Sequence, residues 1–148
     1  MAGKNNLDAI DIGLKERFTK TISETDAVLF AGITGDFYPL HLDEEFAKTT
    51  RFKTRIAHGA MLVGFISTVM ARINDHLPPP GGVSTRYDIR FVGPVMFGDT
   101  ITTTLTVREK NAERNELVMD ALCTNQSGKA VLKGQTIMKV LVNAPTGT

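Results

Sequence analysis

"HGAMLVGFISTVMARIN", residues 58–74, decides the fold. A helix wound through this stretch carries apolar side chains on nearly every face, so it must be enclosed rather than laid on a surface. Its most apolar part, 60–71, is too short to cross a bilayer and has the length of a core helix. Beyond it "DHLPPPGG" ends helical structure, because prolines and glycines cannot continue it.

What encloses the helix is written downstream, where the period changes to two. In "VSTRYDIRF" (83–91), Val83, Thr85, Tyr87, Ile89 and Phe91 alternate with Ser84, Arg86, Asp88 and Arg90. Ile101, Thr103, Leu105 and Val107 share one face of "TITTTLTVRE", and Leu117, Met119, Ala121 and Cys123 one face of "ELVMDALCTN". "KAVLKGQTIMKVLV" (129–142) is a fourth, longer strand. These are the patterns of half-buried strands in an antiparallel sheet. Upstream, "LKERFTKTI" (14–22) reads as a strand-like entry. "SETDAVLFAGITG" reads as a helix with Ser23 as N-cap, Asp26 three residues on and Gly35 at its end. "LDEEFAKTT" is a second short helix capped by Asp43, and the first dozen residues are expected to be loosely ordered. One enclosed helix and one sheet with an apolar face imply an α+β architecture in which the sheet wraps the helix. The 148 residues suit a single domain, 1–148.

Composition narrows the function classes. With 42% apolar and 22% charged residues and a net charge of +1, nothing calls for nucleic acid or an anionic membrane as partner. The single cysteine, Cys123, precludes an internal disulfide and fits a reducing, cytoplasmic setting. "MAGKNNLDAIDIG" lacks the apolar core of a signal peptide.

The chemistry concentrates in "GDFYPLHLDEEF" (35–46), where Asp36 and His41 stand five apart among apolar neighbours. Pro39 stiffens the segment and biases Tyr38 toward extended geometry, so both titratable groups can lie on one side and share a water. Such a pair suits proton transfer. The plainer alternative is that Asp36 caps a turn and His41 satisfies a backbone group. Farther on, His58 and Gly59 stand at the start of the enclosed helix, where unpaired N–H groups and the helix dipole favour a carbonyl oxygen. Gly59 would admit a ligand close to those amides, or would merely permit close helix packing.

The run "GDFYPLHLDEEFAKTTRFKTRIAHGAML" resembles the hydratase motif of the MaoC-like (R)-specific enoyl-CoA hydratases, proteins of hot-dog fold. Asp36, Pro39, Leu40, His41, Asp43, His58 and Gly59 match the family pattern, and "RFVGPVMFGDTITTTLTV" is similar to its strand–turn–strand with Pro94, Gly98 and Asp99. The likeness spans about 14–142. It implies a homodimer acting on an acyl-CoA thioester, with no metal and no organic cofactor. It also implies that Asp36 and His41 hold the catalytic water, that Asp36 takes a proton from it and that His41 delivers one to Cα. The Gly59 N–H would bind the thioester oxygen, His58 would lie at the substrate site, and Ser67 would support it. Tyr38 replaces the family's Asn, and its effect turns on whether it points into the site or outward. Alternatives are a dehydratase of acyl-carrier-protein thioesters, a non-catalytic hot-dog partner subunit and a thioesterase. The pair is expected to line a mostly dry acyl pocket, to which Leu62, Val63, Phe65 and Ile66 are candidate contributors. Arg86 and Arg90 are either solvated or within reach of CoA phosphates.

Overall fold

The computed structural model describes residues 6–143. Strand β1 (Lys15–Thr21) is followed by helices α1 (Glu24–Thr34), α2 (Pro39–Leu42), α3 (Glu44–Thr49) and α4 (Met61–Asn74). Four strands complete it: β2 (Gly82–Phe91), β3 (Thr100–Asn111), β4 (Glu116–Thr124) and β5 (Ala130–Val140). All pairings are antiparallel, in the order β1-β3-β4-β5-β2. The expected sheet wrapped around a helix is the arrangement found.

Local chemistry sets the helix ends as expected. Ser23 and Asp26 close a reciprocal capping box on α1, and Gly35 ends it in the left-handed conformation, φ 81°. Asp43 caps α3 by accepting the Phe46 N–H at 3.1 Å. The alternating residues predicted on β3 and β4 are buried. Against them α4 turns Met61, Leu62, Phe65, Ile66, Val69, Met70 and Ile73.

Four readings are corrected. Helix α4 begins at Met61 rather than His58, because the N–H groups of Met61, Leu62 and Val63 bond three residues back and wind 58–60 as a tight turn. Its enclosure is one-sided: Ala60, Gly64, Ser67, Thr68 and Ala71 form an exposed stripe. Strand β2 is not half-buried but almost wholly exposed, Val83, Tyr87 and Phe91 included, because it is the sheet's edge and a bulge at Thr85 breaks its alternation. Near the N-terminus, Asn6–Ala9 forms a 3₁₀ turn that sinks Leu7 and Ile10 into the core. Residues 1–5 lie outside the described range.

Among the described residues no helix is long and apolar enough to cross a membrane. Cys123 is a buried core residue in contact with Thr103, and burial pushes its thiol pKa up. His76 meets Glu16 at 2.7 Å.

Candidate active site

Gly35 reverses the chain out of α1 and presents Asp36. The Asp36 N–H donates to the Thr34 hydroxyl at 3.2 Å, and one carboxylate oxygen accepts the Tyr38 N–H at 3.2 Å. That Asx turn leaves Oδ2 as the free oxygen. Pro39 then starts the single turn of α2, which the sequence reading missed as a helix, and His41 rides on it. Its Nδ1 lies 2.8 Å from the Ile56 carbonyl. A carbonyl can only accept, so Nδ1 carries the proton and Nε2 is the nitrogen left to the site.

Ile56 and Ala57 are stitched in turn between neighbours: Ile56 donates to the Leu40 carbonyl at 3.4 Å and Ala57 to that of Val95 at 2.8 Å. The stitching delivers His58 into the interior, 2% exposed, against Phe30 and stacked on His41 with ring centroids 3.9 Å apart. His58 Nε2 donates to the Asp36 backbone carbonyl at 3.0 Å and lies 4.0 Å from its carboxylate. Asp36, His41 and His58 each place a polar atom within 4.8 Å of the other two.

That spacing would suit a small cation, but the donor set does not. His58 Nε2 and His41 Nδ1 both bear protons held by carbonyls, and the rings lie face to face rather than converging. His41 Nε2 and Asp36 Oδ2 are left to the site, with the buried His58 Nδ1 a further atom without a partner, and a water can both donate to and accept from the first two.

Beside the pair opens a cleft of about 630 Å³, lined by His41 and Gly59 and by apolar groups including Ile56, Leu62, Phe91 and Val95. The Gly59 N–H has no acceptor among the described residues, since the turn at 58–60 uses its carbonyls and not its amides. A Cβ on Gly59 would come 3.2 Å from the Phe91 ring of β2, so the bare amide stands beside a close approach of that side chain.

The structure thus brings together Asp36, His41, His58 and Gly59, with Tyr38 in contact with the first two, and leaves Ser67 apart. His58 meets Asp36 and His41 and, like Asp36, is not among the residues lining the cleft. Tyr38 points outward, 53% exposed, its ring edge toward His41 and Phe46. Ser67 lies on the exposed stripe of α4, one turn beyond Gly64, and does not line the cleft. Among the suggested acyl-pocket residues only Leu62 lines it, while Phe65 packs on Phe18 and Ile66 is core. Nor is the acid wrapped in apolar side chains: within this chain its carboxylate is 49% exposed. Arg86 pairs with Asp88 outside the cleft, and Arg90 does not reach it. The sequence reading missed Arg51, Phe52, Val92 and Val95 as lining groups, and no spacing in the sequence marks them.

Residues 6–127 match the MaoC like domain. The chain belongs to that family. Its MaoC-like sequence is 41% identical over 128 residues to the (R)-specific enoyl-CoA hydratase of Rhodospirillum rubrum, covering 86% of each chain. It is 40% identical over 131 residues to the 3-hydroxybutyryl-CoA dehydratase of Methylorubrum extorquens, covering 88% of this chain and 81% of that one. Among solved structures it resembles the unliganded R-hydratase of Pseudomonas aeruginosa, with TM-score 0.78 and 35% identity over 94% of this chain and 92% of the other. The MaoC-like protein described here is therefore a hot-dog enzyme of the hydro-lyase class.

Proposed function

We propose that this MaoC-like protein is an (R)-specific enoyl-CoA hydratase that reversibly adds water to trans-2-enoyl-CoA. The observation that carries the reading is the Asp36 carboxylate within 4.8 Å of the His41 ring, which lines one cleft with the unpaired Gly59 N–H. The names of the similar Rhodospirillum and Methylorubrum proteins support the CoA thioester and the reaction class.

A thioester oxygen on the Gly59 amide draws electron density from the alkene, so Cβ becomes the electrophile and Cα the site that gains a proton. A water held between Asp36 Oδ2 and His41 gives its proton to the carboxylate as its oxygen bonds to Cβ. His41 begins as the imidazolium, its Nδ1–H fixed on the Ile56 carbonyl, and passes the Nε2 proton to Cα. Transfer of the proton from Asp36 to His41 restores both groups, and the sum is one water added across the double bond.

The uncovered surfaces support a homodimer. The stripe Ala60–Gly64–Ser67–Thr68–Ala71, the open edge of β2 and the apolar row Val28, Leu29 and Ile33 on α1 would all be covered by a second copy. The chain is then a single hot-dog domain, and its one buried, unpaired thiol suits the cytoplasm.

The test is purified protein with crotonyl-CoA, following enoyl absorbance, free thiol and product chirality. The expected outcome is loss of absorbance with formation of (R)-3-hydroxybutyryl-CoA and no free thiol. Thiol release would mark a thioesterase, and an (S)-alcohol would overturn the (R)-specificity. Inertness toward enoyl-CoA, with turnover of enoyl thioesters on a carrier protein, would move the chain to that substrate.

A further inference from the structure

The cleft beside Gly59 contains one full cation that the catalytic chemistry does not use. Arg51 lies just after α3 and is the one arginine or lysine among the residues lining it. Its exposure places it at the rim. The guanidinium lies over the Phe52 ring, 4.8 Å from its centroid, and Phe52 lines the same cleft. A guanidinium held against a ring face in this way still has N–H donors to offer an anion. No carboxylate lies within ion-pair distance of Arg51 among the described residues.

Arg55, four residues on, shows what a structural arginine looks like in the same loop. It meets Glu24 at 2.5 Å and Glu44 at 3.2 Å and is spent on holding α1, α3 and the loop together. Arg51 has the same charge, has no acid and stands on the rim of an apolar channel that leads to the acid/base pair. An aliphatic acyl tail gains nothing from a guanidinium at its end. A pantetheine arm is different, because it is largely uncharged along its length and ends in a phosphate.

We propose that Arg51, steadied by Phe52, is the phosphate-binding residue of this cleft, and that the cleft carries the carrier arm of the thioester substrate. The assignment rests on the thioester reading above and adds to it which part of the substrate the cleft receives. The thioester carbonyl sits at Gly59, the pantetheine runs over Leu62, Val92 and Val95, and the carrier's phosphate meets the Arg51 fork at the rim. Arg86 and Arg90 play no part.

The test uses saturated butyryl thioesters, which have no alkene to hydrate, so binding is read without turnover. Calorimetric titration compares butyryl-pantetheine, butyryl-4′-phosphopantetheine, butyryl-3′-dephospho-CoA and butyryl-CoA on the wild type, Arg51→Ala and Arg51→Lys. Phosphate-bearing ligands should bind the wild type about tenfold more tightly than butyryl-pantetheine, as a charge-assisted contact at a solvated rim allows, and added salt should shrink the gap. Arg51→Ala should remove the gap and leave butyryl-pantetheine affinity unchanged, with Arg51→Lys in between. A full gain with phosphopantetheine assigns the phosphate common to CoA and carrier-protein arms, whereas a gain confined to butyryl-CoA assigns the ribose 3′-phosphate. An unchanged gap in Arg51→Ala overturns the proposal, as does equal weakening of all four ligands, and as does a wild type that binds none of them. Phosphate-dependent binding without hydration of crotonyl-CoA would leave Arg51 in place and overturn only the hydratase reading.

Discussion

Segments 36–41 and 56–61 each deliver one histidine to the same spot, and they do so on opposite terms. The first is built from its own backbone: an Asx turn at Asp36, one turn of α2 under His41, and an acid that remains half exposed. The second is stitched to Leu40 and Val95 and carries His58 into the core. The proposed acid/base pair is thus set largely by short-range turn chemistry, whereas the His58 ring behind it and the Gly59 amide are set by long-range packing. Substitutions in the first segment should cut rate and spare the fold. Those in the second should cost both.

Asp36→Asn carries the largest expected effect on rate. The amide oxygen can still accept the Tyr38 N–H, so the turn survives, but the side chain can no longer take a proton from water. Hydration of crotonyl-CoA should fall by about two to four orders of magnitude with an unchanged melting temperature. A variant that melted well below the wild type would erase the contrast between the segments.

His58→Phe tests the other side. A phenyl ring can pack between Phe30 and His41, but the Asp36 carbonyl loses its donor. The cost should be about 1 kcal/mol, the low end for a buried hydrogen bond. It is low because the partnerless, buried His58 Nδ1 disappears in the same change. With the Asp36 turn loosened, kcat should drop about tenfold, read by crotonyl-CoA kinetics beside a thermal melt. A loss as deep as that of Asp36→Asn, without any loss of stability, would make His58 an acid/base group in its own right.

The same division explains what could be read from the sequence. Alternation on β3 and β4 and the caps at Ser23, Gly35 and Asp43 were legible, because each is a local pattern with one physical cause. The edge position of β2 was not, since "VSTRYDIRF" alternates as cleanly as an internal strand, and only pairing order and the bulge at Thr85 distinguish it. Asp36, His41 and Gly59 stand out through motif and chemistry. The stacking of His58 on His41 joins residues seventeen apart through an Ile56 carbonyl that no side-chain pattern announces. How Ser67 relates to the cleft was not legible, because helical phase fixes its side of α4 but not what covers that side. Arg51 escaped notice because an arginine after a helix is ordinarily solvated.

Gly59→Ala should have a smaller effect than either change above. Its Cβ would press on the Phe91 ring at 3.2 Å, but that ring is 53% exposed and can swing by the few tenths of an ångström needed. A rate loss of roughly tenfold or less is expected, from displacement of the amide that faces the thioester oxygen. Adding Phe91→Leu should restore much of it. Failure of that rescue would point to the glycine backbone itself rather than to crowding.

The smallest effect concerns how the second segment is moored at its exposed end. Glu44 accepts the Arg55 N–H and side chain, one residue before Ile56, and its carboxyl pKa lies below the ordinary 4.5 because of the Thr54 hydroxyl and the Arg55 backbone N–H. A carboxyl with a depressed folded-state pKa contributes stability that is fully present above its unfolded value and is lost as pH falls through the folded one. Melting temperature should therefore decline on acidification below about pH 4.5, and Glu44→Gln should flatten part of that decline while lowering the pH 7 value only slightly, as a solvent-exposed pair does. Asp26 supplies a second component of the acid limb: burial raises its carboxyl pKa, but the Ser23 N–H and hydroxyl and Lys20 outweigh this and hold it below 3.8. If the limb is unaltered by Glu44→Gln, the loop before His58 is moored by Arg55 on Glu24 alone, and the burial of His58 owes nothing to α3.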